Sequence, residues 1–384
     1  KNVIREENMP AAFLTGPTLD ETMSVAKTLD RALEMVDFDQ LEQDKAAAEA
    51  RGHRLGLGIS SYHEAAPGPP NFFSSAQPGS DMFLHEDGRA EIQADGRIVM
   101  YTSQSPHGQS HQTTYKQVAA DEFGVAMEDI EIVWGDTDRT QFSFLGTGAS
   151  RGGPLGAGVM RMTARELRNQ VVKVAADMLE AAKEDIEIVN GNIHVVGVPT
   201  RGTTYADVAA KVASDQAVST GPVFKEEMKY EGVGNGGWSV ATHIAWVDID
   251  LETGQVEIPR YLVVEDCGPI INPGIVDGQV RGGVAQGIGA VFYERHHYDD
   301  NANLLSTTYM DYLIPTAMEI PKIEIEHMET LTKGENDARG VGEGGMIGAP
   351  AALTNAVSDA LGVDVLEQHL PPYRLLELAG IISS

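Results

Sequence analysis

One acidic residue, Glu343, stands inside a glycine-rich stretch that ends directly before a predicted helix. Residues 339–350 read Arg-Gly-Val-Gly-Glu-Gly-Gly-Met-Ile-Gly-Ala-Pro, and we call this stretch the acid loop. Glycine on either side of an acid lets the backbone turn sharply and lets a second molecule approach closely. Pro350 is expected to open the following helix, 351–361, as its first residue, because proline is favoured there. The pattern predicts a tight loop that aims one carboxylate into a site; an ordinary turn is the alternative.

Three other loops, at 106–110, 146–152 and 267–279, share one composition. Each is rich in glycine and adjoins the start of a predicted helix, where free backbone N–H groups and the helix dipole favour anions. Directional hydrogen bonds would come from their amide, hydroxyl and guanidinium groups: Gln109, Thr147, Ser150, Arg151, Asn272 and Gln279. A long ligand that carries phosphate and polar heterocyclic rings would need such a dispersed cradle. For any single loop, a simple structural turn stays the alternative.

Several other kinds of chemistry find no support in the sequence. It contains no Walker A motif, no Gly-X-Ser-X-Gly elbow and no His-Glu-X-X-His pair. Cys267 is the single cysteine, which excludes an internal disulfide and a four-cysteine iron–sulfur or zinc site within this chain. We expect Cys267 to be a small buried residue that lines its loop, and His296-His297 to be polar surface rather than a metal site.

The surrounding sequence predicts an α+β protein of mixed sheets with packed helices. Residues 1–52 form an N-terminal helical segment, 53–230 a first α+β subdomain and 231–384 a second, which carries the acid loop. Strands are predicted near 55–63 and across an Asp95-Gly96 hairpin, and a helix–turn–strand unit occurs twice, 56 residues apart. The Pro/Gly/Ser-rich stretch 65–80 predicts a binding loop or a subunit contact, and 239–250 predicts a half-buried strand.

The charge balance limits the partners of the chain. Its 384 residues include 28 basic and 57 acidic side chains, a net charge of −29, which argues against a nucleic-acid or anionic-membrane surface. No apolar run approaches the ~20 residues of a membrane span, so a cytoplasmic location is expected. The sequence begins without Met, and we expect a processed product, a subunit or a fragment.

Taken together, four ordered motifs resemble the family of xanthine dehydrogenase, aldehyde oxidase and aerobic carbon monoxide dehydrogenase, the molybdenum hydroxylases. The motifs are Gly108-Gln109 before a helix, Gly146-Thr-Gly-Ala-Ser-Arg151, Cys267-Gly-Pro-Ile-Ile-Asn-Pro273 with Gly278-Gln279, and Gly340-Val-Gly-Glu-Gly344. The resemblance is to the C-terminal half of the molybdenum-binding subunit and covers nearly the whole chain. It implies the fold of the second molybdenum-cofactor-binding domain of that subunit.

The resemblance implies a molybdopterin cytosine dinucleotide cofactor that carries molybdenum. Gly108 and Gln109 would match positions at the pterin end. The residues that would match the segment gripping the pterin and its extension are Thr147, Gly148, Ala149, Ser150 and Arg151. Those that would match the second dinucleotide loop are Cys267, Ile271, Asn272 and Gln279, and Gly342 completes the cofactor-binding set. No protein side chain is expected to ligate the metal.

Glu343 matches the catalytic base of this family. The implied reaction is the hydroxylation of an aldehyde or a nitrogen heterocycle with oxygen from water, and the carboxylate would accept a proton in a partly desolvated pocket. Electrons would pass to a [2Fe–2S] subunit and an FAD subunit in a hetero-oligomer. The N-terminal molybdenum domain of the family is absent from the sequence, so a chain bearing that domain, or the missing half of the same subunit, is a further expected partner.

Two departures from the family pattern bear on the substrate. Ser110 follows Gln109 where many relatives have glycine, which is a mild change. Gly344 follows Glu343 where carbon monoxide enzymes usually have serine, which counts against carbon monoxide as substrate. The alternatives are a carbon monoxide dehydrogenase-like enzyme, a non-catalytic cofactor-binding or scaffold subunit of the same fold, and a sugar- or nucleotide-binding enzyme of unrelated fold. The complete acid loop favours a catalytic role, because a decayed site would tolerate substitutions there.

Overall fold

A computed structural model shows a chain of strands and helices separated by turns. The boundaries between them fall where the spacing of hydrophobic residues changes or where turn-forming residues occur. The structure describes residues 3–12, 18–20, 22–23, 25–68, 85–143, 145–232, 237–331, 335 and 338–383. In these ranges the helices are α1 (Val25–Glu34), α2 (Phe38–Ala50), α3 (His111–Phe123), α4 (Gly158–Leu179), α5 (Tyr205–Gln216), α6 (Pro273–Ile288), α7 (Gly344–Leu361) and α8 (Pro372–Leu378). Short 3-10 turns occupy Glu6–Asn8, Met127–Asp129 and Lys183–Asp185, and π-helical turns occupy Gly152–Ala157 and Gly289–Tyr293. None of the helices described is long and apolar enough to cross a membrane.

The strands form three larger sheets and one small pair. They are β1 (Ala11–Ala12), β2 (Thr18–Leu19), β3 (His53–Ala65), β4 (Glu86–Gln93), β5 (Ile98–Thr102), β6 (Ile130–Val133), β7 (Ile186–Val189), β8 (Asn192–Val195), β9 (Val198–Thr204), β10 (Pro222–Tyr230), β11 (Trp238–Asp250), β12 (Val256–Asp266) and β13 (Ile323–Met328). The larger sheets have the orders β10–β4–β5–β6, β13–β12–β11–β3 and β7–β8–β9. The pairs β5–β6 and β12–β13 are parallel and the others antiparallel. Mixed sheets with packed helices confirm the predicted α+β class.

The first sheet and helices α3 and α4 share one hydrophobic core. The predicted hairpin at Asp95-Gly96 joins β4 to β5, and Gly96 has the positive φ of 87° that such a turn requires. The repeated helix–turn–strand unit is confirmed as α3 followed by β6 and α4 followed by β7, each through one 3-10 turn. Phe123, Met160 and Leu167 are fully buried in this core, which fixes the loop between β6 and α4 at its edge.

The second sheet is covered by helices on both faces. Helices α1 and α2 pack on one face, where Ile244 and Trp246 of β11 are buried with Val36. Helices α6 and α7 pack on the other, where Ala245 and Val247 lie. The prediction that 239–250 is half-buried was therefore wrong, because a central strand between two helical layers is covered on both sides even when its sequence alternates.

Strand β3 begins at residue 53, but it pairs with a strand of the C-terminal half rather than with the strands that follow it in sequence. It pairs with β11 along its whole length, from Ala65 opposite Trp238 to His53 opposite Asp250. Its hydrogen bonds therefore lie in the sheet of the C-terminal half, although sequence order placed it with residues 53–230. Most of the predicted loop at 65–80 lies outside the described residues.

Helix α7 begins at Gly344, six residues before Pro350, so the prediction that Pro350 opens the helix was wrong. Glycine lets this first turn approach its neighbours closely: a Cβ at Gly345 would lie 2.5 Å from the backbone oxygen of Val280 in α6. Packing of that turn against α6 and β11 stabilises it and offsets the hydrogen bond that an internal proline removes. The helix therefore starts directly after Glu343.

Candidate functional site

The loops singled out by their glycines converge on one cavity of about 720 Å³. It lies where the loops around the first sheet meet the starts of α6 and α7. Eleven of the thirteen predicted site residues line it: Gly108, Gln109, Thr147, Gly148, Ser150, Cys267, Ile271, Asn272, Gln279, Gly342 and Glu343. Ala149 and Arg151 do not. The sequence separated these segments by up to 235 residues, and the fold brings them to one place.

Backbone contacts fasten the loops of the cavity to one another. The N–H of Arg339 donates to the oxygen of Cys267 at 2.8 Å, and that of Gly340 donates to Ala66 at 2.8 Å. A Cβ at Gly340 would lie only 1.9 Å from the backbone oxygen of Ser150, so only glycine permits this approach. Ala149 and Ser150 have left-handed backbones, with φ of 57° and 50°. Such strain in consecutive non-glycine residues is typical of functional loops that their surroundings hold in place.

The first turns of α3 and α6 line the cavity, and α7 begins at its edge, directly after Glu343. Helix α3 follows Ser110 and α7 follows Glu343, and neither residue caps its helix through a side chain. The leading N–H groups of these two helices are therefore available as donors, and the helix dipoles favour a negatively charged group nearby. Gly108 has a φ of 113°, and no described residue other than its two chain neighbours comes within 4 Å of its Cβ position, so more backbone is exposed beside α3.

Glu343 is held at the start of α7 by the loop that precedes α4. The N–H of Ala149 donates to Oε1 of Glu343 at 3.0 Å, and the N–H of Glu343 donates to Oγ of Ser150 at 3.0 Å. Carboxylate and backbone are therefore both oriented. The side chain is exposed, however, so the predicted desolvated pocket is not formed by the described residues alone. The loop residue Ala149 acts here through its backbone rather than as part of the cavity wall.

Polar side chains of the predicted loops supply donors and acceptors to the cavity. The oxygen of the Gln109 side chain accepts the N–H of His107 at 2.6 Å, which fixes the orientation of its amide. Thr147 and Gln279 line the cavity, and their side chains make no hydrogen bond with any other described residue. The side-chain oxygen of Gln279 lies 3.7 Å from the Cβ position of Gly342, so these two residues adjoin in the wall.

The loop of residues 267–272 contributes mainly shape. Asn272 caps α6, since its oxygen accepts the N–H of Ile275 at 3.1 Å, and its amide nitrogen donates to Gln117 of α3 at 2.8 Å. Cys267 is buried, and burial raises the pKa of its thiol well above the usual value. This confirms the expectation of a small buried residue that lines the loop. Ile271 adds apolar wall beside it.

Arg151 points away from the cavity. Its side chain is buried, with Nη2 at 2.7 Å from Oε2 of Glu86 and Nη1 at 3.4 Å from the hydroxyl of Ser143. Burial raises the pKa of Glu86 to about 7, against the opposing charge of Arg151. The guanidinium therefore anchors the loop to the start of β4, and this placement does not support the predicted role of gripping a ligand.

Glu64 at the end of β3 is a site residue that sequence reasoning missed. It is buried, and its two carboxylate oxygens accept the hydroxyls of Ser150 at 2.5 Å and Ser239 at 3.1 Å. Burial raises its pKa to about 7, and the charge of Glu343 acts in the same direction. The available signal was that Glu64 is the single acid in this strand.

Arg339 at the start of the acid loop is a second missed residue. Its guanidinium is buried 3.6 Å from Asp266 and donates to the backbone oxygens of Trp238, Thr22 and Thr330. Burial lowers its pKa and the carboxylate of Asp266 opposes that shift. The side chain ties the acid loop to three separate segments, so it fixes where Glu343 is presented.

Comparison with known proteins gives one consistent result. Residues 31–321 match the molybdopterin cofactor-binding domain family. The large subunit of nicotine 6-hydroxylase from Paenarthrobacter nicotinovorans is 36% identical over 371 residues, which are 94% of this chain and 44% of that protein. The carbon monoxide dehydrogenase large chain of Hydrogenophaga pseudoflava is 30% identical over 384 residues, 98% of this chain and 47% of that one.

Solved structures give the same match. Quinoline 2-oxidoreductase from Pseudomonas putida 86 superposes with a TM-score of 0.86 at 36% identity, covering 98% of this chain and 48% of that one. A Cu,Mo-carbon monoxide dehydrogenase superposes with a TM-score of 0.82 at 26% identity. The chain spans about half the length of the relatives that it matches.

Proposed function

The chain belongs to the large-subunit family of the molybdenum hydroxylases, and we propose that it supplies the catalytic base and half of the cofactor site of such an enzyme. The main support for this proposal is that Glu343, oriented by Ala149 and Ser150, lies at the cavity where the other predicted loops meet. We infer that the substrate is a nitrogen heterocycle rather than an aldehyde. Two relatives at 36% identity are named for nicotine and quinoline, both of which contain such a ring.

The residues of the cavity fit a pterin cofactor with a dinucleotide extension. Its volume of about 720 Å³ suits a large ligand. The free N–H groups at the starts of α3 and α7 suit phosphate, and Thr147 and Gln279 offer polar groups that no other described residue engages. Gly108 and Gln109 would hold one end of the ligand, and the wall of Cys267, Ile271 and Gln279 the other. When bound, the molybdenum–pterin group supplies the redox chemistry; the cytosine dinucleotide form is part of the proposal.

Glu343 contributes a proton acceptor whose position is set before substrate arrives. One oxygen receives the Ala149 N–H, and the backbone N–H is held by Ser150, so the side chain is kept from rotating freely. A base already oriented toward the reacting group avoids the cost of ordering during the reaction. The chain therefore supplies orientation and proton transfer.

The other half of the site must come from outside the described residues. Glu343 is exposed here, and a segment at 305–318 exposes large apolar side chains by half or more: Leu305, Tyr309, Met310, Leu313, Ile314 and Met318. An exposed apolar segment of this size is typical of a surface that another domain covers. We infer that it is covered by the portion that corresponds to the other half of the relatives' length. Subunits with a [2Fe–2S] cluster and FAD would complete a hetero-oligomer, because this chain has a single cysteine. Its cytoplasmic location stays a prediction.

Carbon monoxide dehydrogenase-like activity is the second candidate, favoured by relatives at 30% identity. Position 344 argues against it. A Cβ at Gly344 would lie 2.4 Å from the hydroxyl oxygen of Tyr62, so the serine usual in carbon monoxide enzymes does not fit at this position. A heterocycle hydroxylase therefore stays the preferred function.

Metal and nucleotide analysis of the native complex, purified through a tag on this chain, tests the proposal. We expect molybdenum, iron and FAD in the complex, CMP after acid hydrolysis, and a partner chain carrying the remaining molybdenum domain. CMP in the absence of molybdenum would point to cofactor loss and be resolved by reconstitution with molybdate. A complex with neither molybdenum nor CMP would leave only the fold in common with the family and overturn the proposal.

A further inference from the structure

A buried carboxyl group lies directly behind the acid loop. Glu64 is the second-last residue of β3, and it is 8% exposed. Its Oε2 lies 3.9 Å from the Cβ position of Gly344, the residue after Glu343. No cationic side chain of the described residues forms an ion pair with Glu64. Its carboxylate accepts the hydroxyls of Ser150 and Ser239, and its carboxyl group also lies in direct hydrogen-bonding contact with the carboxyl group of Glu343. A buried acid without a cation costs stability, so a functional reason for it is worth testing.

Ser150 connects Glu64 to the backbone of Glu343 through two hydrogen bonds, and the donor in each of them is fixed. A backbone N–H can only donate, so the N–H of Glu343 must find a lone pair on Ser150 Oγ, at 3.0 Å. Ser150 has one hydroxyl proton, which an ionised Glu64 accepts at 2.5 Å. With its proton so engaged, the hydroxyl is fixed as an acceptor toward Glu343.

We propose that Glu64 is a positioning residue for Glu343: its carboxylate orients the Ser150 hydroxyl, which in turn holds the backbone of Glu343 so that the base is presented to the cavity. The inference rests on the proposed role of Glu343 as the base. It adds a residue outside the cavity wall, and a group whose ionisation controls the alignment of the base.

The ionisation of Glu64 gives this role a pH signature. Burial is the largest cause of its raised pKa of about 7, the carboxylate of Glu343 adds to it, and the Ser150 and Ser239 hydroxyls oppose it. Tyr62 on the same strand stays neutral, because burial raises its pKa well above the usual value. Glu64 is therefore ionised above about pH 7, where the chain of hydrogen bonds is complete, and protonated below it. Protonation removes the negative charge that makes Glu64 the stronger acceptor and adds an O–H that can itself donate to Ser150, so the alignment weakens as the pH falls through that value.

The test compares Glu64→Gln and Glu64→Ala in the native complex. A matched control is Glu91→Gln, since Glu91 is also 8% exposed but lies in the first sheet, where it accepts the hydroxyl of Tyr101. The first readout is hydrogen exchange of the peptide that contains the Glu343 amide, at pH 8. We expect faster exchange in Glu64→Ala and near-wild-type exchange in Glu64→Gln, whose side-chain oxygen can still accept from Ser150.

The second readout is the pH profile of kcat on the nitrogen heterocycle that the wild-type complex oxidises fastest in a panel containing quinoline and nicotine. Glu64→Ala is expected to lose about tenfold or more in kcat with little change in KM. Glu64→Gln is expected to lose the decline of kcat near pH 7, which Glu91→Gln keeps. Unchanged amide exchange in Glu64→Ala together with a wild-type profile in Glu64→Gln would overturn the proposal. If Glu64→Ala does not assemble, the profile of Glu64→Gln decides alone.

The same data separate this proposal from the proposed function. If Glu343→Gln keeps its turnover, Glu343 is not the base and the proposed function fails. Amide exchange would then still report whether Glu64 orders the acid loop.

Discussion

Ser150 and Arg151 are neighbours in one loop, yet they bind two buried glutamates of opposite character. Arg151 pairs with Glu86 at 2.7 Å, and both side chains are almost completely buried. Ser150 donates to Glu64 at 2.5 Å, and the next charged group along that hydrogen-bond chain is a second carboxylate, Glu343. Burial raises the pKa of both glutamates to about 7. One of these acids is neutralised by a cation and the other is not.

The presence or absence of a cationic partner gives the two glutamates different roles: Glu86 anchors the loop, and Glu64 positions Glu343. A buried ion pair is costly to break, because removal of one partner leaves an uncompensated charge. Glu86 with Arg151 therefore fixes the loop to β4. Glu64 has no such partner, so its ionisation changes the hydrogen bonds that reach Glu343. Mutations at Arg151 and at Glu64 should therefore change the free energy of unfolding by different amounts and in opposite directions.

The largest effect on stability is expected from Arg151→Ala. It leaves Glu86 buried without its cation and should lower the free energy of unfolding by about 3–5 kcal/mol. Urea unfolding of the native complex, followed by tryptophan fluorescence, measures it. Arg97→Ala is the control, because the pairs of Arg97 with Asp95 and Glu131 are exposed, and little change is expected there. Equal losses in the two variants would show that the Arg151–Glu86 pair is not an anchor.

Glu64→Gln should act in the opposite direction above pH 7, raising the free energy of unfolding by about 1–2 kcal/mol, since it removes an uncompensated buried charge. The folded pKa of about 7 lies above the usual 4.5, so the wild-type protein is most stable, with respect to this group, below about pH 4.5. That stability is lost as the pH rises to about 7. The advantage of Glu64→Gln should therefore be absent near pH 4.5 and complete at pH 8. The prediction fails if the stability of Glu64→Gln, measured relative to wild type, is lower at pH 8 than at pH 5.

The smallest effects compare two serines that donate to the same carboxylate. Ser150→Ala and Ser239→Ala each remove one hydrogen bond to Glu64 and should each cost about 1 kcal/mol of stability. Only Ser150 also accepts the N–H of Glu343, so only Ser150→Ala should speed exchange of that amide. Hydrogen exchange of the acid-loop peptide in both variants distinguishes them. Equal exchange would mean that Ser150 does not transmit the effect of Glu64.

The loops of the site could be predicted from sequence because their function depends on local chemistry. Glycine next to Glu343, and the start of a helix after Ser110 and after Asn272, are properties of consecutive residues. Eleven of the predicted residues consequently lie in one cavity wall. The assignment of these loops to a cofactor site came from the family resemblance. Their composition alone was also compatible with simple turns.

The remaining features depend on partners that are distant in the chain. The burial of Glu64 is decided by Ser150 and Ser239, and the direction of Arg151 by Glu86. Local propensity also misplaced the start of α7, because packing of Gly345 against α6 supports a turn that proline alone would disfavour. Such contacts follow from tertiary structure rather than from the period or composition of a segment.

The variant Glu343→Gln in the native complex decides whether Glu343 is the catalytic base. The control is Glu128→Gln, an exposed acid outside the cavity wall. We predict unchanged molybdenum and CMP content, unchanged partner subunits, and a fall in kcat of about 10²–10⁴-fold on the preferred heterocycle, because the amide cannot accept the proton. A Glu343→Gln complex that keeps its cofactor and turns over within about threefold of wild type would show that Glu343 is not the base.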